Sequence, residues 1–210
     1  MSWIRKISFE ESTGALRRIY QRIAGKDGYI DNILTIHGQR PNSLEGHMVL
    51  YKNVLHSTHN TLPKWKLELL GVYTSMLNGC TYCVAHHFTG LRGLLGDDAR
   101  AEQIRAALER GPEGNEYARV FAPGEQAMLA YARKLTLHPG DMVEGDVGAL
   151  KEAGFGEGEV LEINQVVSYF CYVNRTATGL GVGLDGDILG LSPGDSDDPD
   201  NWHHESARGT

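Results

Sequence analysis

Two cysteines, a histidine and a glutamate have the spacing of a thiol-redox site. Cys80 and Cys83 form a C-x-x-C pair, and His87 follows one helical turn later. If a helix begins near Cys80, positions i, i+3 and i+7 share one face and an i, i+4 pair lies within contact distance. Glu68 is flanked by leucines, so a buried carboxylate there needs a partner. The pattern predicts a nucleophile, a base, an orienting carboxylate and a second thiol.

This set of groups favours one reaction. The positive end of a helix dipole lowers the pKa of a thiol in the first turn, and a nearby imidazole can accept its proton. A thiolate that attacks the O–O bond of a hydroperoxide becomes a sulfenic acid, and a second thiol condenses with it to a disulfide. An external dithiol then restores the pair by thiol–disulfide exchange. We therefore predict a hydroperoxide substrate, a dithiol reductant of the lipoyl or thioredoxin type, and no cofactor.

Two other interpretations of the cysteines remain open. They could be inert core thiols, or they could bind zinc together with His86 and His87. Adjacent helical residues point about 100° apart, so both histidines cannot easily join one tetrahedron. We therefore predict no metal, and we expect Tyr82 and His86 to line the site, although His86 alone is typical of a surface or interface residue.

The spacing E-x11-C-x-x-C-x-x-x-H, formed by Glu68, Cys80, Cys83 and His87, resembles the active-site signature of the AhpD-like alkylhydroperoxidases in the carboxymuconolactone decarboxylase superfamily. The stretch 78–87, NGCTYCVAHH, is most similar to the peroxidase-related branch, and the resemblance covers roughly residues 8–184. It implies an all-α, homo-oligomeric protein with a Glu–His–Cys proton relay. On the same analogy Cys83 attacks the peroxide and Cys80 resolves the intermediate.

The residues themselves leave the roles of the two thiols open. The N-terminal cysteine of a C-x-x-C pair is often the more acidic, whereas Cys83 is the one that lies a single turn from His87. Tyr82 stands where some family members have a histidine, and with a pKa near ~10 it is a poor base, which predicts a shorter relay or slower turnover. The alternative functions are a decarboxylase like the other branch of the superfamily, which does not rely on C-x-x-C, and a non-catalytic zinc-binding or interaction module.

The elements that must position these residues are predicted to be helical. Apolar residues recur at helical spacing, which predicts helices over 8–25, 41–56, 63–79, 80–95, 97–110, 123–137, 143–153 and 157–180. A capping box at 8–11 would open the first. Short connections between such helices indicate an all-α bundle. An offset of 91 residues, which places Glu159 on Glu68 and Cys171 on Cys80, suggests an internal helical repeat.

Charge divides the chain into two parts. Residues 185–210 carry seven acidic side chains and one arginine, whereas residues 1–184 are nearly neutral, and the whole chain has a net charge of -7. We therefore predict an AhpD-like all-α domain over 1–184 and an acidic Gly/Asp/Pro-rich tail over 185–210. Such a composition buries little apolar surface, so the tail is expected to be extended or disordered, or else docked on a neighbouring subunit.

Composition also excludes several classes of protein. No Lys/Arg cluster is present, which argues against a nucleic-acid surface. No uncharged stretch is apolar enough for a membrane span, and the N-terminus lacks the apolar region of a secretory signal. Three cysteines, an odd number, argue against a disulfide-stapled secreted scaffold. We expect a cytoplasmic enzyme that binds neither nucleic acid nor membrane.

Overall fold

The computed structural model describes residues 2–24, 28–113, 115–198 and 200–206. Of these, residues 205 and 206 are described through their backbone alone. In these ranges the predicted all-α class is confirmed. The helices are α1 (Gly14–Ile23), α2 (Asn32–His37), α3 (Pro41–Leu55), α4 (Lys64–Leu77), α5 (Thr81–Leu95), α6 (Asp98–Arg110), α7 (Tyr117–Val120), α8 (Pro123–Leu137), α9 (Glu144–Glu152) and α10 (Glu157–Gly179), and two short strands follow, β1 (Leu191–Pro193) and β2 (His204–Ser206). None of these helices is long and apolar enough to cross a membrane.

Most helices begin and end close to their predicted bounds, and the first is the exception. The capping box at 8–11 forms, with the backbone N–H of Ser8 donating to Glu11 Oε2 at 3.1 Å. A turn follows it, however, and α1 begins only at Gly14. The predicted end of this helix at Gly25 lies outside the described residues. The short helices α2 and α7 are not predicted, because six and four residues are too few to show a helical period.

Helix α4 lies at the centre of the bundle and packs against α5, α8 and α10. Its residues from Leu67 to Ser75 are all buried, including Glu68. Gly71 allows α10 to approach closely, because a Cβ there would lie 2.3 Å from the ring of Phe170. The central helix therefore carries Glu68 to the place where α4, α5 and α10 meet.

The offset of 91 residues does not correspond to a repeated helical unit. Cys80 lies at the break between α4 and α5, whereas Cys171 lies inside the continuous helix α10. Gly79 makes the break possible, because its φ of +68° is a left-handed conformation that glycine adopts without strain. The equivalent position in α10 is Phe170, where the helix continues.

Residues 185–198 and 200–204, here called the C-terminal segment, fold back onto the helices of the same chain. The expectation of an extended or disordered tail is therefore wrong for the described part of it, while 207–210 lie outside the description. Trp202 is 1% exposed, and the guanidinium of Arg22 lies 3.5 Å from the centre of its ring. The buried Nζ of Lys52 donates to the carbonyl oxygen of Gly194 at 2.6 Å. Burial of this tryptophan and these polar contacts favour docking of the segment, which its composition alone does not predict.

Basic groups of the helices also compensate the acidity of the C-terminal segment. Lys64 Nζ lies 2.5 Å from Asp195 Oδ1, and Arg22 pairs with Asp200. Burial acts to raise the pKa of Asp195, but the nearby imidazole of His56 and the hydrogen bond from Lys64 outweigh it and lower that pKa to about 2. The negative charge of the segment thus contributes to its docking.

Candidate active site

The two cysteines of the C-x-x-C pair lie at the start of α5. Cys80 is the N-cap, and its Sγ accepts the backbone N–H of Cys83 at 3.4 Å. The predicted helix start is therefore confirmed to within one residue. Both thiols are free and buried, at 2% and 3% exposure. Any reagent must reach them through a cavity or after local opening.

A hydrogen bond between the two thiols makes their acidities unequal. The side chain and backbone N–H of Cys83 and the hydroxyl of Thr178 lower the pKa of Cys80 to about 6, against the opposing effect of burial. The shared hydrogen bond and burial raise the pKa of Cys83 well above its ordinary value, although Asn174 acts in the opposite direction. Cys80 is therefore the more acidic thiol of the pair, and Cys83 holds its proton more tightly.

Glu68 and His87 form a hydrogen-bonded pair. Nδ1 of His87 lies 2.8 Å from Oε2 of Glu68, and both side chains are largely buried. Burial acts to raise the pKa of Glu68, but the charge and the hydrogen bond of His87 outweigh it and hold that pKa below its usual range. With Nδ1–H donated to the carboxylate, the Nε2 atom of His87 is the one left to exchange a proton.

A small cavity brings the reactive groups together. Its volume is about 60 Å³, and Glu68, Cys83 and His87 all contribute to its lining. The C-terminal segment supplies another part of the lining through Gly190, Leu191, Ser192 and His204. Cys80 is not among the lining residues. A molecule in this cavity therefore meets Cys83 first.

Tyr82 and His86 line the same cavity and face the C-terminal segment. The hydroxyl of Tyr82 donates to Asp187 Oδ2 at 2.6 Å and accepts the backbone N–H of Ile33 at 3.2 Å. Burial and nearby carboxylates raise the pKa of Tyr82 far above its ordinary value, so this side chain acts as a donor and not as a base. His86 is 9% exposed. The expectation that it faces the surface is wrong, because Asp187 covers it.

Three residues of this region are not predicted from the sequence, namely Asp31, Asp187 and His204. Asp31 precedes α2, accepts the hydroxyl of Tyr29 at 2.9 Å and has its Oδ2 atom 3.7 Å from His204 Nε2. Burial, chiefly, raises the pKa of Asp31 to about 6. No local spacing links these residues. The one available signal is Trp202, an apolar residue that a fully solvated tail would not need.

Asp31, His86 and Asp187 are also the residues best placed to hold a metal. One potential ligand atom from each lies within 4.8 Å of the other two, and this group includes neither cysteine. In the part of the chain that the structure describes, the alternative zinc site of Cys80, Cys83, His86 and His87 is therefore not assembled. His86 turns towards Asp187 and His87 towards Glu68.

No protein-family model and no curated protein sequence matches the chain. Solved structures do match it. The AhpD core protein from Ralstonia eutropha JMP134, an uncharacterized peroxidase-related protein, is 24% identical with a TM-score of 0.73, over 87% of this chain and 91% of that one. An uncharacterized peroxidase-related protein from Silicibacter sp. TM1040 is 24% identical with a TM-score of 0.62, over 73% of this chain and 76% of that one.

A third similar structure has a different named activity. It is a cysteine-to-alanine variant of the debrominase Bmp8 in complex with 2,3,4-tribromopyrrole, 16% identical with a TM-score of 0.62, over 89% of this chain and 95% of that one. Identities this low bear on architecture and not on reaction. The fold of this chain is the AhpD-like helical bundle.

Proposed function

We propose that this protein is a dithiol-dependent reductase of small hydroperoxides. The observation that carries the proposal is one small cavity lined by Cys83 and the hydrogen-bonded pair of Glu68 and His87. Cys80, which is hydrogen-bonded to Cys83 but does not line the cavity, stands where a resolving thiol is needed. The similarity of fold to peroxidase-related proteins supports the same conclusion.

Acidity and access favour different cysteines as the nucleophile. Cys80 is the more acidic thiol of the pair, whereas Cys83 lines the cavity. Transfer of the shared proton along the existing hydrogen bond reconciles the two, because it leaves a thiolate on Cys83 and a thiol on Cys80. Access then decides the role, and Cys83 is the peroxidatic cysteine.

In the first step the Cys83 thiolate attacks the terminal oxygen of the hydroperoxide. The new S–O bond forms as the O–O bond breaks, and the departing alkoxide takes a proton from His87 to leave as an alcohol. Sulfur is oxidised by two electrons and the peroxide is reduced by two. Glu68 orients His87 and stabilises its charged form before the proton leaves.

In the second step Cys80 resolves the sulfenic acid. Its thiol gives a proton to the imidazole of His87, and the resulting thiolate attacks the sulfur of Cys83. Hydroxide departs and takes the same proton, so the products are a disulfide and water. An external dithiol then reduces the disulfide by exchange and returns the two protons and two electrons.

The size of the cavity limits the substrate. A volume of about 60 Å³ admits a peroxide group with few further atoms. A long alkyl chain, or a ring with several bromine atoms, would require displacement of the C-terminal segment. The small cavity therefore favours hydrogen peroxide and short-chain hydroperoxides over the halogenated ring found in the similar debrominase.

The same chemistry determines the compartment and the reductant that the protein needs. Turnover needs a reducing compartment, which agrees with a cytoplasmic location. The disulfide would form at buried positions, so we propose a reductant that presents a narrow dithiol, such as a lipoyl group or a thioredoxin-type protein. We further propose a homo-oligomer, which light scattering of the purified chain would test.

A peroxide-consumption assay with three single variants tests the proposal. Cys83→Ser should consume no peroxide above background. Cys80→Ser should consume one equivalent and then stop, with a sulfenic acid that dimedone traps and mass spectrometry locates at Cys83. Cys171→Ser is the control, because that half-buried thiol lies outside the cavity lining, and it should keep full activity.

Donors for this assay are dihydrolipoamide and a thioredoxin system, and tribromopyrrole is included as a competing substrate. An active Cys83→Ser protein would contradict the assignment of the nucleophile. A wild-type protein that ignores peroxides but releases bromide from the pyrrole would replace the proposed reaction with reductive debromination.

A further inference from the structure

We propose that Asp31, His86 and Asp187 bind one divalent first-row transition-metal ion beside the dithiol cavity, with His204 as the nearest fourth ligand. This site lies outside the proposed peroxide chemistry, which uses none of the four. Asp31, His86 and His204 line the cavity, so the ion would lie at its wall.

The spacing of the ligand atoms suits a metal of this size. One atom each from Asp31, His86 and Asp187 falls within 4.8 Å of the others. His86 Nε2 and Asp187 Oδ2 are 3.3 Å apart. Bonds of about 2.0–2.2 Å to a tetrahedral ion place neighbouring ligand atoms roughly 3.3–3.6 Å apart. His86 and Asp187 therefore already stand at such a distance, and Asp31 lies within 4.8 Å of both.

An unpartnered nitrogen points into this group. His86 is nine-tenths buried, and its Nε2 atom has no hydrogen-bond partner among the residues that the structure describes. The carboxylates of Asp31 and Asp187 that it faces are buried as well, at 6% and 1% side-chain exposure. Two buried carboxylates and an unsatisfied ring nitrogen are costly without a compensating cation.

Second-layer hydrogen bonds hold the two carboxylates in place. The hydroxyl of Tyr29 donates to Asp31 Oδ1 at 2.9 Å, and that of Tyr82 donates to Asp187 Oδ2 at 2.6 Å. Metal-binding carboxylates are commonly fixed by such donors, which also tune affinity. Each carboxylate keeps further lone pairs that can reach a metal.

His204 is oriented as a metal-binding histidine usually is. Its Nδ1 atom lies 2.8 Å from the carbonyl oxygen of Trp202, an acceptor that fixes the proton on that nitrogen. Nε2 then carries the lone pair, 3.7 Å from Asp31 Oδ2. Since β2 begins at His204, docking of the C-terminal segment delivers this ligand.

The ligand types select the metal. Imidazole nitrogen with carboxylate oxygen suits Zn²⁺, Fe²⁺ and Mn²⁺, whereas Mg²⁺ and Ca²⁺ prefer oxygen throughout. We therefore expect Zn²⁺ to bind and Mg²⁺ not to compete at equal concentration.

Metal binding to a protein that lacks both thiols of the C-x-x-C pair gives the direct test. The Cys80→Ser/Cys83→Ser variant, stripped with a chelator, is titrated with Zn²⁺ by calorimetry and with Co²⁺ by absorption. We expect one equivalent per chain and visible Co²⁺ bands without a thiolate charge-transfer band. Failure of both ions to bind this variant would overturn the site, whatever the outcome for peroxide activity.

Two ligand variants and one control locate the bound ion. Asp31→Asn and Asp187→Asn, made in the same Cys80→Ser/Cys83→Ser background, should each weaken Zn²⁺ binding by at least about tenfold. Asp197→Asn removes an exposed charge from the same segment and should leave binding unchanged. Should Asp187→Asn lose its fold by circular dichroism, Asp31→Asn decides alone. Unchanged affinity in a folded Asp31→Asn variant would overturn the proposal.

Discussion

The two walls of the cavity are built in different ways. The helical wall takes Glu68, Cys83 and His87 from one continuous stretch of chain, and it rests on the buried helix α4. The other wall comes from the C-terminal segment and is tied across by the hydrogen bond of Tyr82 to Asp187, a partner 105 residues away. Reactive groups thus stand on the rigid core, while closure depends on a segment that docks by a few contacts. Chemistry and access should therefore respond to different substitutions.

Glu68→Gln should produce the largest loss, because it acts on the helical wall. The amide keeps the shape of the side chain but cannot stabilise a charged His87. We expect peroxide turnover to fall roughly 100-fold, the range in which general acid–base groups act. Glu102→Gln, on the exposed face of α6, is the control and should turn over normally. Near-normal turnover in Glu68→Gln would show that the carboxylate takes no part in the proton relay.

Trp202→Ala should open the other wall and leave the helical one intact. Loss of a buried tryptophan costs about 3–5 kcal/mol, here taken from docking of the C-terminal segment. We expect iodoacetamide to modify Cys83 at least about tenfold faster, with the helical circular dichroism signal unchanged. Trp3→Ala, which removes a side chain 77% exposed, is the matched control. An unchanged modification rate in Trp202→Ala would mean that the segment does not close the cavity.

Lowering the pH should decrease the free energy of unfolding of the whole chain, so both walls are destabilised together. Burial lowers the pKa of His47 to about 3 and that of His56 to about 4. Both lie below the unfolded value of about 6.5, so between about pH 4 and about pH 6.5 the unfolded chain binds two more protons at these two residues than the native one. Their contribution to stability is complete above about pH 6.5 and falls by about 2.7 kcal/mol per pH unit as the pH drops through the window.

Urea unfolding from about pH 7.5 to about pH 4.5 measures that slope. His56→Leu should lower the slope by about 1.4 kcal/mol per pH unit, because one proton disappears from the balance. An identical slope in wild type and variant would show that His56 does not titrate in the way its burial implies.

Gly190→Ala should have the smallest effect on access to Cys83. It tests how closely the C-terminal segment lies against α5. Gly190 has φ +77° and Gly186 has φ +84°, so alanine costs about 1–2 kcal/mol at either site. A Cβ at Gly190 would also lie 2.7 Å from the side chain of Thr89, whereas at Gly186 it meets open space. Cys83 should therefore be modified faster in Gly190→Ala than in Gly186→Ala. Equal rates would argue against close contact between the segment and α5.

Sequence predicts the helical wall well because its information is local. The apolar period fixes the helices, and the pairing of Glu68 with His87 follows from a buried carboxylate near an imidazole. The other wall is not predictable in this way, because Asp31 and Asp187 meet only after residues far apart in the chain have docked. His86 shows the limit, since the carboxylate that faces its Nε2 atom belongs to that distant segment. The sequence also does not decide which thiol is the nucleophile, whereas in the structure Cys83 lines the cavity and Cys80 does not.

The hydrogen bond between Tyr82 and Asp187 has a consequence for the order of events during synthesis. Translation proceeds at about 5–20 residues per second and N-terminal parts fold first, so the helical wall can assemble while residues 185–204 are still inside the ribosome. For that interval the dithiol of the nascent chain is unshielded. We therefore expect glutathione or a metal ion to react with the thiols of newly made protein more readily than with those of the complete fold. Selectivity for small peroxides would follow only after the C-terminal segment has docked.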